Sequence, residues 1–222
     1  MHYILNIETA TKNCSVSLAA NGKTIAIREV AEAGYSHAEK LHVFIEEVLA
    51  DASILPADLS AVAVSQGPGS YTGLRIGVSS AKGLCYALQI PLISTDTLKA
   101  MAMKASISDG VVVPMIDARR MEVYSAIFNA DGTLQRSILA EILTEDSFAD
   151  VNQKIYIIGD CADKCKTVLT DRKFHFIESI IYPSAEEMSA ISYQKFVESD
   201  FENVAYFEPF YLKDFLITTS KK

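Results

Sequence analysis

The segment at residues 61–88 constrains the fold of this chain most, because a strand, a tight turn and a helix follow one another there without a break. The run Ala-Val-Ala-Val at 61–64 lacks polar alternation, which favours a strand covered on both faces. A glycine-rich turn, GPGSYTGLRIG, follows at 67–77, and an apolar helix is predicted over 73–88. With the apolar run at 90–94 as the next strand, the sequence predicts a right-handed βαβ unit in a parallel sheet.

The part of the chain before this unit is predicted to begin with antiparallel strands. Residues 1–31 divide into three strand patterns, and the Asn-Gly dipeptide at 21–22 is typical of a two-residue hairpin turn. A helix with one apolar face is then predicted over 36–51, where Ser36 and Glu39 can form a capping box. The first half therefore combines a three-stranded meander with the βαβ unit.

The same order of elements begins again at the Asp-Gly dipeptide at 109–110. Three further strand patterns are followed by a short helix, a strand over 154–160, another helix, and a last helix over 184–198. We therefore predict a duplicated two-lobe α/β architecture, with an N-terminal lobe over 1–107 and a C-terminal lobe over 108–222. The last helix is expected to pack in part on the N-terminal lobe.

Composition argues against several classes of function. The 222 residues are 50% hydrophobic, and 20 basic against 28 acidic residues give a net charge of −8. Because neutralisation of phosphates supplies most of the affinity for nucleic acid, this charge argues against a protein that binds nucleic acid without a partner. No apolar run approaches the ~18 residues of a membrane span, and the N-terminus lacks a signal-peptide pattern. We expect a cytoplasmic protein that does not enter membranes.

The four cysteines predict core thiols instead of a metal site or a disulfide framework. Cys14, Cys85, Cys161 and Cys165 fall in predicted strands and helices, and no two of them form a C-x-x-C pair. Cys161 and Cys165 are one helical turn apart, but two ligands do not complete a tetrahedral zinc site. The sequence therefore predicts reduced thiols in the core.

The glycine-rich turn is related to phosphate-binding loops without matching either common pattern. It lacks the Gly-Lys-Ser/Thr ending of a P-loop, and Gly67, Gly69 and Gly73 give G-x-G-x-x-x-G instead of the dinucleotide fingerprint. Backbone N–H groups at a helix N-terminus can hold a phosphate. Alternatively, the glycines permit close approach of helix and strand while Ser70 or Thr72 caps the helix. The spacing leaves both interpretations open.

The helix after the turn carries two stripes on different faces. One stripe is apolar and suits contact with a sheet, whereas the other, formed by Ile76, Ser80, Gly83 and Ala87, consists mostly of small residues. Small side chains let a second helix approach closely. The small-residue stripe is therefore expected either to pack against the neighbouring helix of the same chain or to form a subunit interface.

No catalytic or metal-binding arrangement emerges from the residues. His37 and His42 are five residues apart, about 140° around a helix, whereas a zincin pair needs i, i+4 spacing. The nucleophile-elbow pattern G-x-S-x-G is absent. Asp117, Arg119 and Arg120 fall between two predicted strands, where they form either an exposed ion-pairing turn or an arginine contact to a phosphate or a partner carboxylate.

Four segments together resemble one family, that of TsaB, also called YeaZ. They are NIETAT at 6–11, SQGPGSYTGLRIGVSSAKGL at 65–84, DARRMEVY at 117–124 and PFYL at 209–212. The resemblance extends over nearly the whole chain. It implies a two-lobe fold of the actin, sugar-kinase and Hsp70 type, with duplicated ribonuclease H-like lobes. It also implies a role in forming N6-threonylcarbamoyladenosine beside the anticodon of tRNAs that read codons starting with A.

The resemblance further implies that the chain acts with partners. These are the transferase TsaD in a heterodimer, the ATPase TsaE, a second copy of this chain when TsaD is missing, and tRNA only through the complex. The contact with TsaD or with a second copy is expected to be a four-helix arrangement of the helices over 36–51 and 73–88. Its predicted residues are Leu41 and Ile45 on the first helix, and Ile76, Ser80, Gly83 and Ala87 on the second.

The resemblance also implies that this chain is not the catalyst. TsaD carries two metal-binding histidines after the strand that follows the glycine-rich helix, and Asp96 and Ala100 stand at the matching positions here. Nucleotide-binding members of the wider fold have an Asp in the first strand, two residues before a Gly-Thr pair. In the matching register of this chain, Asn6 replaces the Asp and Glu8 replaces the glycine. We expect no catalytic residue, no metal and no cofactor held by this chain alone, and we assign any ATP, ADP or Mg²⁺ to the complex interface.

Two enzymatic alternatives stand beside the activating subunit. A glycoprotease-like peptidase would need a metal pair or a nucleophile, neither of which the sequence offers. An ATP-dependent small-molecule kinase of the same fold would need the phosphate loops and magnesium carboxylates that the sequence has partly lost.

Overall fold

The computed structural model describes residues 1–31 and 37–212, and its first half is built on a five-stranded sheet. The strands are β1 (Tyr3–Glu8), β2 (Asn13–Ala20), β3 (Lys23–Ala31), β4 (Leu59–Gly67) and β5 (Leu92–Asp96), and the helices are α1 (His37–Asp51), α2 (Tyr71–Leu88) and α3 (Thr97–Ala102). The sheet has the order β3-β2-β1-β4-β5. Because β1 is antiparallel to β2 while β4 is parallel to both β1 and β5, the predicted meander and parallel βαβ arrangement are confirmed.

The second half repeats this topology. Its strands are β6 (Val111–Asp117), β7 (Glu122–Asn129), β8 (Leu134–Ile142), β9 (Ile155–Gly159) and β10 (Phe174–Phe176), and its helices are α4 (Ala162–Lys166) and α5 (Ala185–Glu198). The order is β10-β9-β6-β7-β8, with β9 parallel to β6 and β10 parallel to β9. Numbered from the start of its own meander, each sheet reads 3-2-1-4-5. The predicted two-lobe α/β fold with a duplicated sheet is confirmed.

The hairpin turn between β2 and β3 follows from two residues. Asn21 has a φ of 46° and Gly22 a φ of 81°, the left-handed conformations that a two-residue turn of this type requires. A Cβ on Gly22 would lie 3.0 Å from the ring of Tyr193, so the turn also passes close to α5. The predicted Asn-Gly turn is confirmed.

The segment between β8 and β9 differs from the prediction. The sequence predicts a short helix there, but residues 145–150 form turns. The Thr144 N–H donates to Ser147 Oγ at 3.0 Å, and Phe148 has a φ of 64°, so a side-chain bond and a left-handed residue interrupt the helical pattern. At the other end of the chain, the predicted cap Ser36 lies outside the described residues, and α1 is described from His37.

Helices cover both faces of the first sheet. Neighbouring residues of β1 point to opposite faces, so Leu5 packs with α1 and α2 while Ile4 packs with Met188 of α5. In the second lobe, α3 contributes Leu98 to one face of the sheet. The other face of that sheet is covered by α4 and the turns after β8. In the described part of the chain, no helix combines the length and apolarity that a membrane crossing needs.

A buried polar cluster fixes α5 to the first sheet. Ser192 Oγ donates to Asn6 Oδ1 at 2.6 Å, and Asn6 Nδ2 donates to Ser17 Oγ at 3.2 Å. At the start of α5, Ser184 Oγ donates to the Glu29 carboxylate at 2.7 Å. Because buried polar groups must be paired, these bonds fix how α5 lies across the strands.

Candidate functional site

The glycines of the turn between β4 and α2 are required by close packing against the chain after β1. A Cβ on Gly69 would lie 2.3 Å from Ala10 O, and one on Gly73 would lie 2.1 Å from Thr9 O. A Cβ on Gly77 would lie 2.3 Å from Thr9 Oγ1. Real Cβ atoms do not approach other atoms this closely, so only glycine lets α2 begin directly against residues 9 and 10.

The N–H groups of this turn are used within the chain. The Ser70 N–H donates to Ala10 O at 2.6 Å, the Gly67 N–H to Thr97 Oγ1 at 3.2 Å, and the Gly73 N–H to Ser70 Oγ at 3.3 Å. Ser70 is the N-cap of α2, in line with one of the two interpretations of the turn. Because these three donors are satisfied internally, they are not available to a bound phosphate.

The small-residue stripe of α2 faces away from the sheet. Ile76 and Ser80 are partly buried, whereas Gly83 and Ala87 are exposed. No described atom lies within 4 Å of the position that a Cβ on Gly83 would take. The stripe therefore leaves room for a second helix.

A groove between α1 and α2 continues this surface. It has a volume of about 460 Å³. Its lining includes Ala38 and His42 of α1, and Ile76 and Ser80 of α2. Ser80 Oγ lies 3.4 Å from His42 Nε2, which links the two helices across the groove. We call this groove together with Gly83 and Ala87 the helix-pair face.

Two of the predicted interface residues do not belong to the helix-pair face. Leu41 is fully buried and Ile45 is 6% exposed, and both pack against the first sheet. The reason is that α1 has one apolar stripe, which must cover the sheet. The stripe consists of Leu41, Ile45, Val48 and Leu49. The prediction is wrong for Leu41 and Ile45, whose neighbours Ala38 and His42 line the groove instead.

The chain after α5 returns to the same region. Lys82 Nζ on α2 donates to Phe207 O at 3.0 Å, and the Phe210 N–H donates to Gln66 O at 2.7 Å. The guanidinium of Arg75 donates to Tyr211 Oη at 3.3 Å. The sequence does not predict where this tail packs, although its two pairs of aromatic residues, at 206–207 and 210–211, indicate that it contacts another part of the chain.

Glu8 is a fully buried acid at the end of β1. Its Oε1 accepts from the Ala10 N–H at 2.6 Å and from Ser65 Oγ at 2.9 Å, while its Oε2 has no hydrogen-bond partner among the described residues. Burial raises the pKa of Glu8 to about 7, against the lowering effect of these bonds and of Lys104. Removal from water is thus the main cause of the raised pKa of Glu8.

The position of Asn6 corrects the register drawn from nucleotide-binding relatives. Asn6 lies inside β1 with its amide bound to Ser17 and Ser192, whereas Glu8 is the acid at the carboxyl end of the strand. Functional groups in such sheets lie at strand ends, so the residue to compare with a magnesium-binding Asp is Glu8. The assignment of Asn6 to that position is wrong.

Replacing Glu8 by Gln is expected to flatten the pH dependence of stability. The pKa of Glu8 in the folded chain, about 7, exceeds its ordinary value of 4.5. The protonated side chain therefore contributes its full stabilisation of the folded state below pH 4.5, and this contribution is lost as pH rises through 7. Relative to E8Q, the free energy of unfolding of the wild type should fall by up to about 3 kcal/mol over this window. Urea denaturation across the window measures it, with the exposed Glu145→Gln as a control that should follow the wild type. Parallel curves for the wild type and E8Q would contradict the prediction.

The Asp-Ala-Arg-Arg segment forms a tight turn with an unpredicted partner. Asp117 accepts from the Arg119 N–H at 2.9 Å and pairs with Lys164 of α4 instead of an arginine. Arg119 and Arg120 are exposed, with φ values of 74° and 53°. An ion-pairing turn is therefore present, and the side chains of its two arginines are left at the surface.

The positions that match the metal ligands of TsaD, and the histidine at the start of α1, have structural contacts in this chain. Asp96 caps α3, accepting from the Lys99 N–H at 2.9 Å, and Ala100 is buried in the core. His37 Nε2 lies 2.8 Å from Thr11 O. Over residues 1–31 and 37–212, no three His, Cys, Asp or Glu side chains form a group that could hold a metal ion.

Comparison with known proteins gives both fold and family. The family "TsaD: tRNA N6-adenosine threonylcarbamoyltransferase" matches residues 31–206. The tRNA threonylcarbamoyladenosine biosynthesis protein TsaB of Escherichia coli is 30% identical over 226 residues, which cover 95% of this chain and 94% of that protein. YeaZ from Pseudomonas aeruginosa superimposes with a TM-score of 0.80 at 24% identity, covering 96% of this chain and 100% of that chain. Another P. aeruginosa protein, described as similar to peptidase YEAZ, gives 0.82 at 23% identity with the same coverage.

These likenesses carry different weight. The structural matches show the two-lobe fold, because their identities are low. The E. coli relative matches almost from end to end, and its overall identity confirms the family that the four segments indicate. The chain therefore belongs to the TsaB family, whose members act in tRNA threonylcarbamoyladenosine biosynthesis.

Proposed function

We propose that this chain is a non-catalytic subunit that activates TsaD by forming a heterodimer with it through the helix-pair face. The reaction served is formation of N6-threonylcarbamoyladenosine at the adenosine 3′ of the anticodon, in tRNAs that read codons starting with A. The observation that carries the proposal is the small-residue stripe of α2, in which Gly83 and Ala87 are exposed while Ile76 and Ser80 line a groove beside α1. Small residues on an exposed helix face permit the close helix packing that a four-helix contact needs.

The chemistry of the described residues supports a subunit without catalysis. Gly67, Ser70 and Gly73 of the turn before α2 donate their N–H groups to acceptors within the chain, and Asp96 caps α3. Glu8 is sealed from solvent. These groups are therefore engaged within the chain or removed from solvent instead of being directed at a substrate.

Further parts of the proposal concern the assembly. TsaE joins the heterodimer, tRNA is contacted only through the complex, and two copies of this chain pair through the same face when TsaD is missing. A net charge of −8 supports the indirect role toward tRNA, because the chain lacks a charge excess that would attract phosphates. The proposal places the protein in the cytoplasm.

A peptidase is the alternative that one comparison brings forward, since a P. aeruginosa protein of this fold is described as similar to peptidase YEAZ. Peptide hydrolysis needs an activated nucleophile or a metal-bound water. Within the described residues there is no group of His, Cys, Asp or Glu suited to a metal, and the histidine of α1 that is buried lies against a backbone carbonyl. We therefore favour the activating subunit.

Reconstitution of the modification tests the proposal. Purified TsaD, TsaE and the enzyme that makes threonylcarbamoyl-adenylate are incubated with unmodified tRNA, with and without this chain, and the modified nucleoside is quantified. We expect formation to depend on the chain, because the proposal makes TsaD active only when this subunit is bound to it. Unchanged product on omission of the chain would refute activation. Product formed by this chain without TsaD would refute the non-catalytic assignment.

A further inference from the structure

Three sulfur atoms meet in the core of the second lobe. The Sγ atoms of Cys161 and Cys165 lie 3.6 Å apart, and Met115 of β6 places its Sδ 3.5 Å from Cys165 Sγ. Cys161 is 4% exposed, and the other two side chains are fully buried. The sequence offers two of these sulfurs, one helical turn apart, but the third comes from a strand some 50 residues earlier.

A glycine brings the three residues together. Met115 is paired with Gly159 where β6 and β9 run parallel, and Gly159 has a φ of 130°. A Cβ at this position would lie 1.8 Å from Met115 O. Only glycine therefore allows the backbone to pass this close to Met115, which brings Cys161 and Cys165 next to the methionine.

The ligand set selects a particular class of metal ion. Thiolates and thioethers are soft ligands that favour Cu(I) over harder cations. Metal–sulfur bonds of about 2.3 Å place sulfurs around a shared ion roughly 4 Å apart, a few tenths of an ångström beyond the observed separations. Because the described residues provide no group of three His, Cys, Asp or Glu ligands here, a tetrahedral zinc site is not formed.

A positive charge lies close to the two cysteines. Lys164 is the neighbour of Cys165 on α4, and its ammonium pairs with the Asp117 carboxylate. Two thiolates around a monovalent ion carry one excess negative charge, which the Lys164 ammonium, shared with Asp117, offsets in part.

We propose that Cys161, Cys165 and Met115 form a binding site for a soft monovalent metal ion, Cu(I) or its analogue Ag(I). Binding replaces the thiol protons by the ion, releases those protons to solvent and involves no change of oxidation state. The site is separate from the helix-pair face, which lies on the first lobe. Its occupancy would tie α4 to β6 through sulfur–metal bonds and so stabilise the second lobe.

A competition titration tests this site. The reduced full-length chain is mixed anaerobically with Cu(I) held by bicinchoninate, and loss of the chelate colour reports transfer. We expect one Cu(I) per chain, with thiolate-to-copper absorption in the ultraviolet, and binding weakened at least about 100-fold in Cys165→Ala. Cys85→Ala is the matched control, because Cys85 is likewise buried on a helix but its Sγ lies against Pro91 O in the first lobe.

Met115→Leu separates metal binding from folding. Leucine nearly preserves the volume of methionine, so the fold is retained while the thioether is lost. We expect about tenfold weaker Cu(I) binding with an unchanged circular dichroism spectrum. The proposal is overturned if the wild type withdraws no Cu(I), if Met115→Leu binds as the wild type does, or if Cys85→Ala loses the ion instead.

Discussion

Gly73→Ala is expected to prevent stable folding of the first lobe. The added Cβ would lie 2.1 Å from Thr9 O, a backbone atom that cannot rotate away. Relief of this overlap requires α2 to move outward, which breaks the bond from Thr9 Oγ1 to Gly73 O at 2.8 Å and the bond from the Ser70 N–H to Ala10 O. We expect a loss of about 3 kcal/mol or more in the free energy of unfolding, measured by urea denaturation.

Gly83→Ala is the matched control, since it makes the same change ten residues further along the same helix. No described atom lies within 4 Å of the new Cβ, and Gly83 is exposed. Alanine is favoured over glycine inside a helix by about 1 kcal/mol, so this variant should be more stable than the wild type. Equal stability of Gly73→Ala and Gly83→Ala would show that the approach of α2 to residues 9 and 10 does not constrain the fold.

Gly83→Arg is expected to abolish pairing with TsaD while the isolated chain stays folded. The long charged side chain would occupy the space that a partner helix needs, and burying its charge without a counter-ion is costly. We expect affinity to fall by at least about 100-fold, or roughly 2.7 kcal/mol. Analytical gel filtration with purified TsaD, followed by titration calorimetry, measures the loss.

Ala190→Arg controls for the added charge in that experiment. Ala190 is an exposed helical residue on α5, away from the helix-pair face. This variant should pair with TsaD as the wild type does, and both variants should give the circular dichroism spectrum of the wild type. A full-size complex with Gly83→Arg would rule out the helix-pair face as the contact. Loss of pairing in Ala190→Arg would show that general charge, not the face, controls association.

The order of elements could be predicted from the sequence because it depends on local signals. Each signal determines the structure of only a few neighbouring residues. Examples are the Asn-Gly turn, the apolar run at 61–64 and the serine that caps α2. The helix predicted near 145–150 is not formed, because a hydrogen bond from the Thr144 N–H to the Ser147 side chain competes with helical backbone pairing.

The candidate site was harder to predict because it depends on which face of a helix is turned inward. Leu41 and Ile45 were assigned to an interface, although the only apolar stripe of α1 must cover the sheet. The tail that reaches Gln66 and the sulfur of Met115 that reaches Cys165 are contacts between distant parts of the chain. A periodic pattern within one segment carries no information about such partners.

The position of α5 has a consequence for the order in which the protein takes shape during synthesis. The first sheet starts at residue 3, yet one of its apolar faces waits for a helix that begins at Ala185. Until that helix leaves the ribosome, Ile4, Ala63 and Ile93 face water or a chaperone, and Asn6 is without Ser192. The first sheet therefore completes this apolar face only after residues 185–198 have been made, so folding of the first lobe depends on a segment from the second half of the chain.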